Sequence, residues 1–303
     1  MKQELLNEAL NIIRNRKELA EHEAYNEKLK AMQDKSFAIM YKKYVDTLIE
    51  NARKEAFGEK FDPNEVANLK SQYMQRLKEL NIPSIEANYS CKKCMDSGFI
   101  NGQYCDCLKK EISKILLEKS NFGKLEDFKN SDFNIFENKE EMKKIYELMQ
   151  QWCNKSDTSK NLVYLLGQTG TGKTHLLRCM ANEFIGQDKL VILTTAFNLS
   201  QLFIKYHSSK DKNDVLDDIL SCEVLFIDDL GTEPFFNNIT REYTYLVINE
   251  RRMKNLKTVI TSNLSPADLR DRYDERIFSR VMDRTSSIVL ELKGEDKRFV
   301  SKK

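Results

Sequence analysis

Apolar and polar positions divide the chain into a first part with helical periodicity and a second part in which strand-like and helical segments alternate. Up to about residue 80, apolar residues recur three or four positions apart, and no strand-like run interrupts them. One such stripe consists of Val66, Leu69, Tyr73, Leu77 and Leu80. Residues at this spacing share one face of a helix, which has about 3.6 residues per turn. The pattern predicts a small helical domain over residues 1–88.

Boundary signals in this domain predict two long helices. Asp62 directly before Pro63 is typical of a helix start, and the segment 81–83, which ends in proline, is typical of a stop. A second helix is predicted over residues 25–52, with a less regular apolar stripe at residues 34–38. The stripes fit either packing of the helices on one another or an exposed face that docks a partner, and the sequence does not separate the two.

Beyond residue 120 the pattern changes to short apolar runs separated by helical segments. Residues 120–140 carry aromatic side chains among polar neighbours and form a connector. Five candidate strands follow, at residues 162–166, 190–195, 224–228, 258–262 and 287–292. This alternation predicts an α/β fold, with a five-stranded parallel sheet covered by helices on both faces. We expect residues 120–303 to form one domain.

A glycine-rich segment, GQTGTGKT at residues 167–174, lies between the first strand and a helical segment that starts at His175. Such a turn points backbone N–H groups at a β-phosphate, and the helix N-terminus adds positive potential there. Lys173 can reach the β- and γ-phosphates, and the Thr174 hydroxyl can hold Mg²⁺. The predicted nucleotide-binding residues of this segment and the position directly after it are Gly167, Gln168, Thr169, Gly170, Thr171, Gly172, Lys173, Thr174 and His175.

Two acidic residues end the third predicted strand. Val224 to Ile227 form an apolar run that leads into Asp228 and Asp229. Acids at the carboxyl end of a parallel strand lie in the ligand crevice. Phosphoryl chemistry needs one carboxylate near the metal and a polar group that orients the attacking water. We assign Asp228 to Mg²⁺ and Asp229 to the water.

Polar residues further along the chain complete a candidate ATPase site. Asn263 follows the fourth strand, where its amide can bridge the attacking water and the γ-phosphate, although asparagine is also a common turn residue. Arg276, Arg280 and Arg284 are four residues apart, which predicts one face of one helix. A guanidinium from a neighbouring subunit can stabilise charge on a transferring phosphate. A solvated basic helix face is the alternative.

Four cysteines suggest a metal site before the sheet. Cys91, Cys94, Cys105 and Cys107 are spaced Cys-x2-Cys-x10-Cys-x-Cys. Four thiolates can close a tetrahedral zinc shell with no open position, so we predict structural zinc in a segment at residues 89–119. The second pair has one intervening residue rather than two, and unligated or redox-active thiols are the alternative. The other cysteines, at 153, 179 and 222, are scattered and are expected to be packed or incidental.

Composition limits the kinds of partner that the protein can bind and the cellular compartment in which we expect it. The chain has 303 residues, which suggests about two domains, and its 49 basic and 47 acidic residues leave a formal net charge of +2. Nucleic-acid contact must therefore come from a local patch. The sequence has no apolar stretch of membrane-spanning length, and its start is too charged for a secretory signal. We expect a cytoplasmic protein without membrane association.

Four motifs together carry a family resemblance. GQTGTGKTHL, VLFIDDLGTE, ITSN and ERIFSRVMDR resemble segments of AAA+ ATPases, specifically the bacterial replicative helicase loaders of the DnaC and DnaI type. The likeness extends from about Phe122 to the C-terminus, and CKKCMDSGFINGQYCDC is similar to the zinc-binding segment of Gram-positive-type loaders. The resemblance implies a loader that binds the hexameric replicative helicase through its N-terminal part and delivers it to single-stranded DNA. It also implies weak ATP hydrolysis that assembly or DNA stimulates.

The resemblance also implies residue roles. Lys173 with Thr174 becomes the Walker A pair, Asp228 with Asp229 the Walker B pair, and Asn263 the sensor-1 residue. Arg280 is the first choice for an arginine finger that acts between self-associated subunits, with Arg284 and Arg276 as alternatives. Arg298 resembles the sensor-2 arginine that contacts nucleotide. The implied DNA contacts are Lys205, Tyr206, His207, Phe235 and Phe236.

Two departures from the family pattern keep other functions open. Asp229 stands where many AAA+ proteins carry glutamate, and residues 293–303 are too few for the usual helical lid, so we expect a reduced lid. One alternative is a zinc-containing adaptor in which nucleotide is mainly structural. Another is an AAA+ helper of transposition that binds a transposase and duplex DNA. A small-molecule kinase also uses a phosphate loop, but it would not need the asparagine and the arginine helix together.

Overall fold

The computed structural model describes residues 3–120, 122–155, 159–208, 215–294 and 296. The chain forms two compact units, one of residues 11–103 and one of residues 1–10 with 104–303. The division predicted from the sequence, with domain boundaries after residues 88 and 119, stays a prediction.

Helices dominate the first part of the chain, as predicted. They are α1 (Gln3–Met32), α2 (Lys35–Ala56) and α3 (Pro63–Glu79), followed by a two-stranded sheet of β1 (Phe99–Ile100) and β2 (Gln103–Tyr104). The predicted start of α3 is confirmed, because the Asp62 carboxylate accepts the Asn64 N–H at 2.9 Å as an N-cap. Helices α2 and α3 bury Phe37, Tyr73 and Leu77 in a shared apolar cluster.

The prediction of a single helix over residues 25–52 is wrong, because the helical structure is interrupted at Asp34. Asp34 caps the start of α2 by accepting the Phe37 N–H at 2.7 Å. Arg76 of α3 donates to both oxygens of the same carboxylate, at 3.1 and 2.7 Å. These hydrogen bonds, from Arg76 and then from Phe37, lower the pKa of Asp34 to about 2. One charged side chain therefore caps the start of α2 and ties α2 to α3.

Helices and strands alternate in the larger unit. Its helices are α4 (Asp106–Lys119), α5 (Lys139–Asn154), α6 (Lys173–Gly186), α7 (Ala196–Ser208), α8 (Val215–Ser221), α9 (Thr240–Met253), α10 (Pro266–Tyr273) and α11 (Glu275–Val281). Its strands are β3 (Leu162–Leu166), β4 (Val191–Thr195), β5 (Val224–Leu230), β6 (Lys257–Ser262) and β7 (Ser287–Glu291). Over the described residues, no helix is both long enough and apolar enough to cross a lipid bilayer.

The five strands form one parallel sheet in the order β4-β5-β6-β3-β7, which confirms the predicted fold. Both faces of the sheet are buried. On β3, Val163 and Leu165 belong to one apolar cluster, while Leu162, Tyr164 and Leu166 belong to another on the opposite face. Uninterrupted apolar runs are typical of strands that are covered on both sides. The carboxyl ends of β3, β5 and β6 therefore meet at one edge of the sheet, where the predicted site residues follow.

Candidate nucleotide-binding site

The segment 167–174, here called the phosphate loop, connects β3 to α6 through glycines in conformations that other residues rarely adopt. Gly172 caps α6 with φ of 95°, and Gly167 has φ of 154°. A Cβ at Gly167 would lie 2.3 Å from the backbone oxygen of Leu292. A side chain at either position would therefore strain the loop or displace its neighbours. The start of α6 thus has the geometry of an anion-binding turn.

Lys173 is almost fully buried, and its ammonium group lies within the phosphate loop. Its Nζ donates to the backbone oxygens of Gly167 and Gln168, each at 2.8 Å, and to the Asn263 side-chain oxygen at 2.6 Å. All three of these acceptors are neutral oxygen atoms. The structure therefore brings Lys173 and Asn263 together, although they are far apart in sequence.

Thr174 and Asp228 form the next part of the site. The Thr174 hydroxyl lies 3.1 and 3.3 Å from the two carboxylate oxygens of Asp228. Burial raises the pKa of Asp228, hydrogen bonds from Thr261 and Thr174 oppose that rise, and neighbouring Asp229 adds to it. A hydroxyl oxygen beside a carboxylate is a ligand set that suits Mg²⁺. The two residues therefore fit a magnesium ion held near the phosphate loop.

Asp229 lies at an irregularity in the sheet. The pairing of β5 with β6 shifts register between Ile227 and Leu230, and Asp229 has φ of 56°. Its N–H donates to the Thr261 hydroxyl oxygen at 2.9 Å, and the same hydroxyl donates to Asp228. Sequence reasoning gave Thr261 no role. In the structure Thr261 and Ser262, two polar residues that end an apolar strand, are both fully buried.

Glu233, which follows the acid pair in VLFIDDLGTE, also received no role from sequence reasoning. Its side chain is almost fully buried and accepts the Gly231 N–H at 2.8 Å and the Tyr273 hydroxyl. Arg272 donates to the backbone oxygen of Glu233 and lies 3.4 Å from its carboxylate. Burial, with the nearby carboxylate, raises the pKa of Tyr273. Glu233 therefore ties the loop after β5 to the end of α10.

The other loop residues occupy different environments. Gln168 and Thr169 are exposed, whereas Thr171 is buried and donates to the Gln168 backbone oxygen at 2.8 Å. The Nδ1 atom of His175 lies 2.9 Å from the Tyr146 hydroxyl of α5. Burial lowers the pKa of His175. The neutral imidazole is thus favoured behind the phosphate loop.

The candidate arginine fingers do not all share one helix, so that prediction is wrong for Arg284. Helix α11 carries Arg276 and Arg280 but ends at Val281, and Arg284 lies exposed in the following turn. Asp283 holds this turn, because its carboxylate accepts the Thr285 N–H at 2.9 Å and pairs with Arg252.

The two arginines on α11 have different partners. Arg276 pairs with the carboxylates of Glu242 at 2.9 Å and Asp274 at 3.1 Å. Arg280 donates to the Asn249 side-chain oxygen at 2.7 Å, and its guanidinium lies 4.8 Å from the centre of the Tyr245 ring. The charge of Arg280 therefore meets these neutral groups, while that of Arg276 meets carboxylates.

The residues assigned to DNA contact lie on two segments, and those of α7 lie near Tyr243. Lys205 and His207 are exposed, and the His207 Nδ1 atom lies 3.3 Å from the Tyr243 hydroxyl. Tyr206 packs edge-on against the Tyr243 ring at 5.7 Å and is partly buried.

Phe235 and Phe236 keep 37% and 38% of their surface exposed. Phe235 lies 5.4 Å from the Arg241 guanidinium and 5.5 Å from that of Arg272. The DNA-contact role of Phe235 and Phe236 stays a prediction. Arg298, the predicted sensor-2 residue, lies outside the described residues.

The four clustered cysteines come together in the segment 91–107. The Sγ atoms of Cys91, Cys94, Cys105 and Cys107 all lie within 4.8 Å of one another. A zinc–sulfur distance of about 2.3 Å would place the sulfurs of a tetrahedral shell about 3.8 Å apart. The cluster is therefore compatible with zinc binding. The other cysteines, Cys153, Cys179 and Cys222, are buried.

The sequence matches the family model of the IstB-like ATP binding protein over residues 66–303. It is 27% identical over 231 residues to the phage-like element PBSX protein XkdC of Bacillus subtilis, a match that covers 69% of this chain and 84% of XkdC. It is 31% identical over 137 residues to the chromosomal replication initiator protein DnaA of Campylobacter fetus, covering 45% of this chain. That match spans only 30% of the initiator's length.

Solved structures with similarity to the chain include those of DnaI and of the DnaC helicase loader. The "Crystal Structure of the DnaI" is 25% identical, and the alignment covers 57% of this chain and 90% of that one, with a TM-score of 0.45. The "Crystal structure of the DnaC helicase loader" is 20% identical, and the alignment covers 58% and 97% of the two chains, with a TM-score of 0.44.

Proposed function

The chain belongs to the IstB-like ATP-binding protein family, and we propose that it loads the replicative DNA helicase onto single-stranded DNA in an ATP-dependent manner. The observation that carries the proposal is the convergence of four groups at one sheet edge. Lys173 contacts Asn263 at 2.6 Å, and Thr174 contacts Asp228 at 3.1 Å. A cation, an amide, a hydroxyl and a carboxylate in this arrangement suit Mg²⁺-dependent phosphoryl transfer.

Each residue of the site has a defined task in this proposal. The backbone N–H groups of the phosphate loop and the start of α6 hold the phosphates, and Lys173 adds positive charge beside them. Thr174 and Asp228 would hold Mg²⁺, and the bound ion would neutralise charge on the phosphate oxygens. Asp229 orients the attacking water, and Asn263 keeps that water beside the γ-phosphate.

Residues outside the phosphate loop extend the proposed site. Arg280 acts as an arginine finger in a neighbouring subunit, which would make hydrolysis depend on self-association. The neutral partners of Arg280 favour it over Arg276, whose charge is already paired with Glu242 and Asp274. Arg298 provides a second contact to the nucleotide.

The replication part of the proposal rests on the four motifs and on the relatives. Replication initiators are among the proteins that the chain resembles, and they favour a role in replication. Contact with the helicase is assigned to the helical domain predicted over residues 1–88. Single-stranded DNA is assigned to Lys205, Tyr206, Phe235 and Phe236, because aromatic faces can stack on bases without reading sequence.

The four clustered cysteines are proposed to bind one structural zinc ion. Their sulfurs are close enough for a tetrahedral shell, and bound zinc would supply folding energy to a short polar segment. Metal analysis of the purified chain should give one zinc per chain, and Cys91→Ser with Cys94→Ser should lose it. A metal-free wild-type protein whose four thiols all react with an alkylating reagent would contradict this assignment.

The loading proposal is tested with purified replicative helicase and a single-stranded DNA bead assay. Helicase should be retained on the beads only with the chain and ATP, and ATP hydrolysis should rise when helicase or DNA is added. Asp229→Asn should bind ATP with unchanged affinity but lose the stimulated hydrolysis. Failure of the wild-type chain to bind helicase with or without ATP would reject the proposal.

A second candidate function is a zinc-containing AAA+ adaptor, or a helper of transposition, in which nucleotide is mainly structural. The short side chain of Asp229 favours it, because an aspartate reaches less far toward an attacking water than a glutamate. Helicase loading by Asp229→Asn at the wild-type level would support this candidate, whereas loss of loading would support the first.

A further inference from the structure

The sheet contains a bulge at Asp228 and Asp229, the two adjacent acids of β5. Ile227 pairs with Ile260, and Leu230 pairs with Ser262. Between these pairs β5 has two residues, Asp228 and Asp229, whereas β6 has only Thr261. Two residues opposite one is the arrangement of a β-bulge, which turns a side chain in a new direction and leaves ladder groups without their backbone partners. Thr261 is therefore the one residue of β6 that faces both acids.

The Thr261 side chain replaces the missing ladder contact. The Asp229 N–H donates to Thr261 Oγ1 at 2.9 Å, with Asp229 in the left-handed conformation. Thr261 is fully buried, so water cannot easily take over this contact. A buried N–H without an acceptor is unfavourable, and the hydroxyl oxygen of Thr261 removes that penalty.

The same hydroxyl also fixes the neighbouring acid. A hydroxyl has one proton, and because Thr261 Oγ1 accepts from Asp229, its own proton is free to be donated to Asp228 Oδ1. The carboxylate of Asp228 is thereby held from one side by Thr261. From the other side the Thr174 hydroxyl approaches to 3.1 Å. Rotation of the Asp228 carboxylate would break both contacts.

We propose that Thr261 is a positioning residue of the ATPase site, which sets the Asp229 backbone and the Asp228 carboxylate with one hydroxyl group. The inference rests on the proposed ATP-hydrolysing function and deepens it. Thr261 does not touch the reacting phosphate. It acts through Asp228, whose orientation decides how well Mg²⁺ is held, and through Asp229, whose position decides where the water lies. Residues that orient a metal ligand commonly change metal affinity or activity about 10- to 100-fold.

The test compares Thr261→Val, which keeps the shape and removes the hydroxyl, with Thr261→Ser, which keeps the hydroxyl. Binding of a fluorescent ATP analogue is measured with and without Mg²⁺, together with the Mg²⁺ dependence of ATP hydrolysis. Thr261→Val should raise the Mg²⁺ concentration for half-maximal hydrolysis by about tenfold or more and lower kcat similarly. Its affinity for the analogue without Mg²⁺ should stay close to that of wild type, and Thr261→Ser should behave like wild type.

Thr258 offers a matched control on the same strand. It is also a buried threonine, but its hydroxyl accepts from Arg251 at 3.0 Å, at the end of β6 away from the acids. Thr258→Val should lower the melting temperature without changing the Mg²⁺ dependence. This control separates a loss of stability from a loss of positioning.

The possible outcomes distinguish the inference from the function on which it rests. A folded Thr261→Val variant with wild-type Mg²⁺ dependence and kcat would overturn the role of Thr261 while leaving the ATPase proposal intact. An equal change in Thr258→Val would also overturn it. A wild-type chain that neither binds nor hydrolyses ATP would instead overturn the proposed function. Should Thr261→Val fail to fold, the serine variant decides: it must retain wild-type Mg²⁺ dependence, and a tenfold change would reject the inference.

Discussion

The nucleotide site and the helical unit of residues 11–103 present opposite kinds of surface. At the site, the charged side chains of Lys173 and Asp228 keep only 5% and 4% of their surface exposed, and their polar atoms contact other parts of the sheet edge. In the helical unit, Ile39 and Phe57 leave 71% and 73% of their surface exposed. The buried polar groups of the site thus contact one another within this chain, whereas the helical unit leaves large apolar side chains exposed.

Lys173→Ala tests the nucleotide site, and we expect it to have the largest effect of the variants considered. Removing the ammonium group takes away the positive charge beside the phosphates, so ATP affinity should fall at least about a hundredfold, or roughly 2.7 kcal/mol. Calorimetric titration with ATP and Mg²⁺ measures the loss. Lys144→Ala, at an exposed position of α5, is the control and should bind like wild type. Equal ATP affinity in the two variants would contradict the assignment.

Ile39→Glu combined with Phe57→Glu tests whether the exposed apolar residues of the helical unit bind the helicase. Charge on the exposed apolar positions should weaken helicase binding by about tenfold, because two buried apolar contacts would be replaced by desolvated carboxylates. ATP binding should not change. Surface plasmon resonance with the helicase measures the effect. Met253→Glu places the same charge on an exposed apolar residue of the larger unit and should leave helicase affinity intact. Weakening by Met253→Glu, rather than by the double variant, would move the contact to the larger unit.

Glu233→Ala tests how much the buried polar contacts near the site contribute to the stability of the larger unit. The buried Gly231 N–H and Tyr273 hydroxyl would lose their acceptor, so the free energy of unfolding should fall by about 1–3 kcal/mol. Urea denaturation measures this change. Glu242→Ala removes an exposed carboxylate that pairs with Arg276 and should cost less than about 1 kcal/mol. Similar losses in the two variants would show that Glu233 is not a structural tie.

Asp34→Asn tests the polar tie of the helical unit through its pH dependence, and we expect the smallest effect here. Hydrogen bonds from Arg76 and Phe37 lower the folded-state pKa of Asp34 to about 2, from an ordinary value of 3.8. The carboxylate therefore adds stability above pH 3.8, and that contribution is lost as the pH falls toward 2. Thermal melts of the variant should show a lower melting temperature at pH 7 and a shallower decline between pH 4 and pH 2. If the melting temperature of the variant declined between pH 4 and pH 2 as steeply as that of wild type, Asp34 would not be the source of the loss of stability in acid.

Sequence reasoning succeeded where a local pattern determines structure. The apolar run 162–166 coincides with β3, and the Asp62-Pro63 pair coincides with the start of α3, because burial on both faces and helix capping act on neighbouring residues. It failed where a side chain meets a distant element. The ion pair of Asp34 with Arg76 lies where a predicted helix is interrupted, and the turn that pairs Asp283 with Arg252 leaves Arg284 outside α11.

The same distinction explains what was predicted of the candidate site. The motif residues Lys173, Thr174, Asp228 and Asn263 could be chosen from sequence, and they lie together in the structure. Thr261 and Glu233 could not be chosen, because their importance comes from a bulge between two strands and from a helix about 40 residues away. Such pairings depend on which residues lie opposite one another in the sheet, and a single sequence does not determine this register.

The central claim is that the phosphate loop and the acids at the end of β5 bind ATP with magnesium. Isothermal titration of the full chain with ATP, with and without Mg²⁺, tests it most directly. We expect one nucleotide per chain and an affinity that rises when Mg²⁺ is present. A folded chain that gives no binding heat with ATP at several temperatures, with or without Mg²⁺, would contradict it.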